Sequence, residues 1–559
     1  MIEIANTWKE QYPRPSMKRD SFFSLDGCWL LNDKPIQVPF APQSTASEYK
    51  GEIGDELHYK KVFSLPKDFV KENQHVLLHF GAADQRCRIY INGCKAGEHE
   101  GGYLPFTIDI TPFLQEENLL EVKVQDDLDQ DYPYGKQAKD PGGMWYTPVS
   151  GIWQSVWIEA VEEDGIENLS VQADMEKVIF DIQSKSENFL LQIQTPCGLF
   201  EKELHEKHVK IDAFEFDCTP RYWSLEDPYL YRFTLQAGKD KVESYFALRS
   251  IEIQKRNGMP HIFLNKKPIF LQGVLDQGYF MDGIYLPKSP QEYEKDILAM
   301  KNMGFNFLRK HIKVEPELYY ALCDQHGMLV MQDFVNSGNY DYLKDTVLPT
   351  FGFVYKDDMK HIVSAKRRSL FMESGKETME LLRMHPSVIA YTIFNEGWGQ
   401  FCADEMYSHF KQIDRSRLID STSGWYHQKE SDFDSLHIYF RNKTLKNKKK
   451  EHPLFLSECG GYTLPIEHHI MSGKKTYGYA SMKSEEDLYK KMQALFEHMI
   501  LPSVQNGLCG YIYTQLSDVE GELNGFLSYD RKVLKVDPTR IKAFTNQAQE
   551  QYMKQFEDE

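Results

Sequence analysis

Two apolar runs of strand length stop on an acidic residue: Tyr391-Thr392-Ile393-Phe394-Asn395-Glu396-Gly397-Trp398 and Pro453-Leu454-Phe455-Leu456-Ser457-Glu458-Cys459. A carboxylate at the end of a buried strand is costly to desolvate unless something uses it. Two such ends in one domain suggest carboxyls facing each other across a cleft, the minimum equipment for cutting a glycosidic bond. One would protonate the leaving oxygen while the other attacks the anomeric carbon. The acid needs a raised pKa, and the nucleophile needs an ionised, hydrogen-bonded state.

Neighbouring residues fit that division of labour. Asn395 can donate its amide to the sugar hydroxyl beside the reacting carbon. Arg309 is placed to keep Glu458 ionised through a charge-assisted bond, and Tyr439 can hydrogen-bond the same carboxylate. Trp398, in a Gly-Trp-Gly loop with little core in view, reads as a sugar platform, and His437 as a further substrate contact. Each has a blander alternative. A lone strand-ending glutamate is more often a helix cap or ion-pair member; Arg309 suits a structural ion pair, and His437 and Tyr439 suit half-buried strand positions. Two glutamates on separate strands, one preceded by Asn, favour the chemistry. Other signals are weaker. Glu467-His468-His469 has no HExxH or paired-ligand spacing, the Lys446–Lys450 run reads as an exposed loop, no Gly-rich phosphate cradle follows a strand, and Cys459 lacks a His-Asp partnership.

The elements that must position these residues change character along the chain. Residues 1–160 read as short alternating runs divided by turn signals, such as Arg88-Ile89-Tyr90-Ile91-Asn92-Gly93, the pattern of an all-β sandwich with a hairpin at Asn92-Gly93. Residues 161–254 continue it as a second, smaller sandwich. From 255 to 559, apolar strands alternate with helical-period segments, the mark of a parallel sheet built from βα units. Eight strands are expected, over 269–274, 305–309, 328–333, 388–394, 418–421, 434–439, 454–458 and 510–515. Helices are expected over 290–303, 315–326, 358–384 and 485–501. That series suits a (β/α)8 barrel, whose chemistry sits at the carboxyl ends of the strands. The two glutamates end the fourth and seventh.

At 559 residues the chain exceeds what one core usually serves. The formal net charge of −18 argues against nucleic acid or an anionic membrane as the partner. Nine scattered cysteines form no CxxC pair or disulfide-dense spacing, which favours a reduced, cytoplasmic setting. The first residues lack the apolar core of a secretory signal, and no apolar stretch is long enough to span a bilayer.

Read for motifs, the chain resembles glycoside hydrolase family 2, which includes β-galactosidases, β-glucuronidases and β-mannosidases, over nearly its whole length. Leu25-Asp26-Gly27-Cys28-Trp29, Tyr90-Ile91-Asn92-Gly93, Phe106–Thr111 and Ser150-Gly151-Ile152-Trp153-Gln154-Ser155-Val156-Trp157 are similar to that family's jelly-roll domain. Trp223–Tyr231 resembles its immunoglobulin-like domain, and Asn306-Phe307-Leu308-Arg309 with Leu322–Gly327 its barrel signature. The resemblance implies a jelly-roll sandwich, an immunoglobulin-like sandwich and a TIM barrel, with Glu396 as acid/base, Glu458 as nucleophile and net retention. It implies a carbohydrate substrate; family members are often dimers or tetramers, so a homo-oligomer stays open.

Departures bear on the substrate. Ile312 stands where the family signature has His, leaving Lys310 or His311 to take over its contacts. Asn336-Ser337-Gly338-Asn339 replaces a magnesium-binding motif, so no metal or other cofactor is expected. Glu522-Leu523-Asn524 replaces the Asn-x-Lys that grips a uronate, and an acid there repels one. Gln515 and Asp518 are candidates for hydroxyl contacts, and Asp276 and Asp140 are within reach of the mouth. The expectation is a retaining exo-β-glycosidase acting on β-galactosides, with a β-glucuronidase or an inactive carbohydrate-binding protein as alternatives.

Overall fold

A computed structural model describes residues 2–216, 218–353, 357–471 and 476–557. The first sandwich runs from Phe23 to Glu162 as a four-stranded and a six-stranded sheet. In Asn118–Gln125 every second residue is buried, and such alternation builds a core around Trp29, Ile36, Leu78 and Val122. The hairpin between Arg86–Ile91 and Cys94–Glu100 turns on Asn92 and Gly93, with φ of 52° and 80°, as a primed turn requires. Ile166–Phe246 form a second, immunoglobulin-like sandwich of three and four strands, packed on Phe180, Tyr231, Phe233 and Phe246. Arg19 ties the two together, pairing with Glu159 at 3.1 Å and Asp240 at 3.0 Å.

The remaining chain forms the barrel. Its strands are β1 (Leu271–Asp276), β2 (Phe307–Lys310), β3 (Leu329–Asp333), β4 (Val388–Asn395), β5 (Leu418–Ser423), β6 (Asp434–Ile438), β7 (Leu454–Gly460) and β8 (Leu508–Thr514). All eight lie where the apolar runs placed them, with ends shifted by up to two residues. The paired strands are parallel, in the order β5-β4-β3-β2-β1-β8-β7-β6. β5 and β6 share no backbone ladder among the described residues. Side chains bridge that seam instead: Ser435 Oγ donates to Asp420 Oδ1 at 2.9 Å, and Ser423 Oγ lies 3.1 Å from His437 Nε2.

The helices hold the strands from outside, with two departures from expectation. The helix expected from 358 begins at Ala365, where Ser364 caps the Arg367 N–H. The preceding Asp358 is withdrawn from it, accepting from Gln400 Nε2 and the Ala403 N–H. The helix beginning at Glu485 is α-helical to Leu495, then passes through a π turn over Phe496–Ile500. No helix among the described residues is long and apolar enough to cross a membrane. All nine cysteines are free.

Candidate active site

Strand β4 delivers Glu396 by ending in a sharp turn. Glu396 adopts φ of 53°, and Gly397 and Gly399 are also left-handed. A side chain at Gly397 would collide with the Tyr426 ring, so glycine is required for so close a turn. The left-handed glutamate itself costs about 1–2 kcal/mol, offset in part by its N–H donating to Ser423 O at 3.0 Å. Glu458 comes from within β7, in register with His437 on β6. The two glutamates retain 14% and 6% of their side-chain exposure, enough to meet a ligand from the cleft.

Glu396, His437 and Glu458 each offer a donor atom within 4.8 Å of the others. That set has the composition of a divalent-cation site, but its hydrogen bonds describe two carboxylates in different roles. Glu458 Oε1 accepts from Arg309 Nη1 at 3.1 Å, and Oε2 accepts from the Tyr439 hydroxyl. Glu396 Oε1 lies 2.7 Å from His437 Nδ1, and the Nε2 of that ring faces Arg309 and Ser423. An Arg donor beside Nε2 makes it the acceptor nitrogen, which assigns the proton to Nδ1. His437 therefore donates to Glu396 Oε1 and leaves Oε2 for the cleft.

Arg309 organises the floor. It is fully buried, donates to both oxygens of Asp333 at 2.9 and 3.1 Å, and reaches Asn395 Oδ1 at 2.8 Å. Burial opposes its charge, but Asp333 and Glu458 more than offset this and hold it above its ordinary pKa. Burial likewise pushes Asp333 up, while Arg309 and His311 bring it below the usual carboxylate range. Burial, then the charge of Glu458, keeps the Tyr439 hydroxyl well above its usual value, so it remains a donor at any working pH. Its ring stacks on Tyr479 at 3.8 Å.

Several residues sit differently from their sequence reading. Trp398 does have a core: it is 4% exposed, packs against Tyr134, Trp145 and Tyr340, and donates to Gly338 O at 3.0 Å. Tyr340 follows β3, but Tyr134 and Trp145 come from the first sandwich, whose 129–149 segment crosses onto the barrel mouth. His437 is enclosed between the glutamates rather than open to sugar. Asp518 is locked at 2.5 Å to Lys535 with no exposure on either side chain, so no hydroxyl can reach it. Gln515 is spent at both ends of its amide, on Gln277 and Asn524, each at 2.7 Å. Lys310 and His311, the expected stand-ins for the absent His, are themselves engaged: Lys310 with Asp276 and Glu315, His311 with Asp333. Asp276 is thereby buried in an ion pair, and Asp140 is exposed.

Sequence reasoning missed Asp333, Tyr479, Tyr146 and Lys136. Asp333 ends β3 on an acid, the same signal that exposed the two glutamates. Tyr146 donates to Glu522, which also accepts from Asn524 at 3.1 Å. Burial raises Glu522, against the pull of Lys136.

Comparisons with known proteins agree with this architecture. Residues 16–160 match the sugar binding domain, and residues 253–491 the TIM barrel domain, of glycosyl hydrolases family 2. A β-galactosidase of Lactococcus lactis is 25% identical over 406 residues, 70% of this chain and 36% of that protein. Against three such relatives the chain spans only 36%, 34% and 41% of their length. A β-glucuronidase of Streptococcus agalactiae is 21% identical over 82% of this chain and 85% of its own. The solved β-D-glucuronidase of Dictyoglomus thermophilum superimposes with a TM-score of 0.73 at 17% identity, covering 96% of this chain and 98% of that one. At that identity the likeness speaks for the fold alone.

Proposed function

This chain belongs to glycoside hydrolase family 2, and we propose that it is a retaining exo-β-glycosidase that removes terminal β-linked neutral pyranosides, β-galactosides foremost. The observation that carries this reading is the approach of Glu396 and Glu458 to within 4.8 Å, the short separation of double displacement rather than the wider gap that admits a water between inverting carboxyls. In the first step the Glu458 carboxylate bonds to the anomeric carbon as the glycosidic C–O bond breaks, and Glu396 gives its proton to the leaving oxygen. In the second, water loses a proton to Glu396 and attacks the same carbon, releasing Glu458. Arg309 and Tyr439 favour the ionised nucleophile. The crossing segment is tied to the barrel by Tyr146 on Glu522, and a chain laid across one end of the cleft would suit removal of a terminal residue.

A second reading, β-glucuronidase, draws support from the relative matched over 85% of its length. The buried acid Glu522 opposes it, because a uronate carboxylate beside it would be repelled. A panel of nitrophenyl glycosides on the purified chain tests both. We expect the galactoside to exceed the glucuronide in kcat/KM; the reverse order establishes the second reading. Sugar binding with no hydrolysis of any substrate refutes both and leaves a carbohydrate-binding protein.

A further inference from the structure

Among the described residues, the buried cations at the barrel mouth are occupied. Arg309 holds Asp333 and Glu458, Lys310 holds Asp276 and Glu315, Lys313 holds Glu315, and Lys535 holds Asp518. Lys136 is the exception: half-buried, and among the described residues in no ion pair or hydrogen bond through its side chain.

Its backbone is nevertheless bolted over the site. The N–H groups of Tyr134 and Gly135 donate to Asn336 O at 2.9 and 3.4 Å, just beyond β3, and the Tyr134 hydroxyl donates to Gly338 O at 2.9 Å. Gly135 is left-handed at 68°, and a Cβ there would lie 3.2 Å from Ile312 O. Lys136 O accepts from the Tyr146 N–H at 2.9 Å, and Tyr146 in turn reaches Glu522 through its hydroxyl. The Lys136 backbone is thus held next to the Gly135–Ile312 contact, where the sequence lacks the family histidine.

The ammonium is also felt by its surroundings. Burial and then the Lys136 charge hold His311 down at about 4, and the same charge pulls against the burial of Glu522. Tyr146 joins the two residues, its N–H on Lys136 O and its hydroxyl on Glu522, and no N···O contact within 4.0 Å pairs their side chains directly. A hydroxyl oxygen hydrogen-bonded to both would bridge a gap of up to about 6 Å. Glu522 Oε2 accepts from the Tyr146 hydroxyl and, at 3.5 Å, from Gln277 Nε2, whereas Oε1 accepts only from Asn524 at 3.1 Å, and a carboxylate oxygen with one donor can accept another.

We infer that Lys136 and Glu522 together form the subsite for the hydroxyl groups at the outer edge of the sugar, the ammonium donating and the carboxylate accepting. This rests on the neutral-pyranoside reading above. It makes the first sandwich a contributor of a substrate-binding residue, and it makes Glu522 a recognition group rather than a relic of a uronate clamp.

The test uses the full chain and p-nitrophenyl β-D-galactoside and β-D-glucuronide, with Lys136→Met, Lys136→Arg, Glu522→Gln and the Met/Gln double variant. Losing one charge-assisted hydrogen bond should lower galactoside kcat/KM by about 10- to 100-fold. The loss should fall mainly on KM, with unchanged thermal midpoints. Arg should recover part of the loss, and the double variant should lose less than the product of the singles, because both groups share one ligand. Lys136→Met within threefold of the parent on the better substrate overturns the inference, whichever sugar is preferred. Fully multiplicative losses overturn the shared subsite. A parent that prefers the glucuronide refutes the neutral reading separately, and a Lys136→Met loss confined to that substrate then overturns the hydroxyl assignment.

Discussion

Tyr439→Phe isolates one bond of the nucleophile. The ring keeps its place, since it is stacked on Tyr479 with the planes 7° apart, and Arg309 still donates to Glu458 Oε1 at 3.1 Å. The hydroxyl donor to Oε2 disappears, together with its 3.2 Å contact to Thr514 Oγ1. A hydrogen bond to a charged group contributes about 1.5–3 kcal/mol, equivalent to roughly 10- to 100-fold in rate where it is felt in full. It is not felt equally in both steps. Glu458 gives up its charge as the glycosyl-enzyme forms, so the missing donor costs that step little. Glu458 regains its charge as the intermediate breaks down, and there the donor stabilises the departing carboxylate. The variant should therefore release a burst of dinitrophenol from a dinitrophenyl glycoside and then turn over 10- to 100-fold more slowly, with KM falling alongside kcat. Mass spectrometry of the quenched enzyme should show the glycosyl adduct. Loss of kcat/KM as large as the loss of kcat, with no burst and no adduct, would refute the assignment of Glu458 and its asymmetric dependence on Tyr439.

Three further expectations follow from the same geometry. Glu396→Ala should cripple hydrolysis of alkyl glycosides while sparing dinitrophenyl ones, whose leaving group needs no proton; equal losses on both would argue against its role as acid. Asp420 is fully buried beside the seam, and burial raises it to about 6 from 3.8 despite Arg309. The folded form thus binds the proton more tightly than the unfolded chain, and stability falls as pH rises from about 4 to 6. Asp420→Asn should recover about 1–3 kcal/mol above that window, seen as a higher thermal midpoint at pH 7.5 with no gain at pH 4. Trp398→Ala should cost about 3–5 kcal/mol as a buried-aromatic deletion, and limited proteolysis should then cut within residues 129–149 before the barrel opens.

Much of this was legible in the chain, for a definable reason. Barrel strands buried on both faces must be unbroken apolar runs, so β4 and β7 stand out, and a glutamate ending such a run is conspicuous. Arg309 and Tyr439 were found the same way, by where their strands end. Lys136 and Tyr146 were not, because they ride on a segment rich in Gly and Pro with no period of 2 or 3.6, and only docking on the barrel gives them a role. The same docking supplies the core for Trp398 that its neighbours in sequence lack. The place of His437 depends on which strands meet across the barrel, and the linear pattern carries no such information.

The unlaced edge between β5 and β6 bears on both catalytic groups, because β6 carries His437 for Glu396 and leads into Tyr439 for Glu458. Glu458 rides on β7, stitched by main-chain bonds to neighbours on both sides, whereas the imidazole that orients Glu396 belongs to a strand that, among the described residues, is paired on one side only. A small slide of β6 would retune the proton donor through His437 and, through Tyr439 at its end, the hydroxyl bond that Glu458 accepts as well. Substitutions at Asp420, Ser423 or Ser435 are thus a route by which this scaffold can adjust acid and nucleophile together to leaving groups of differing basicity.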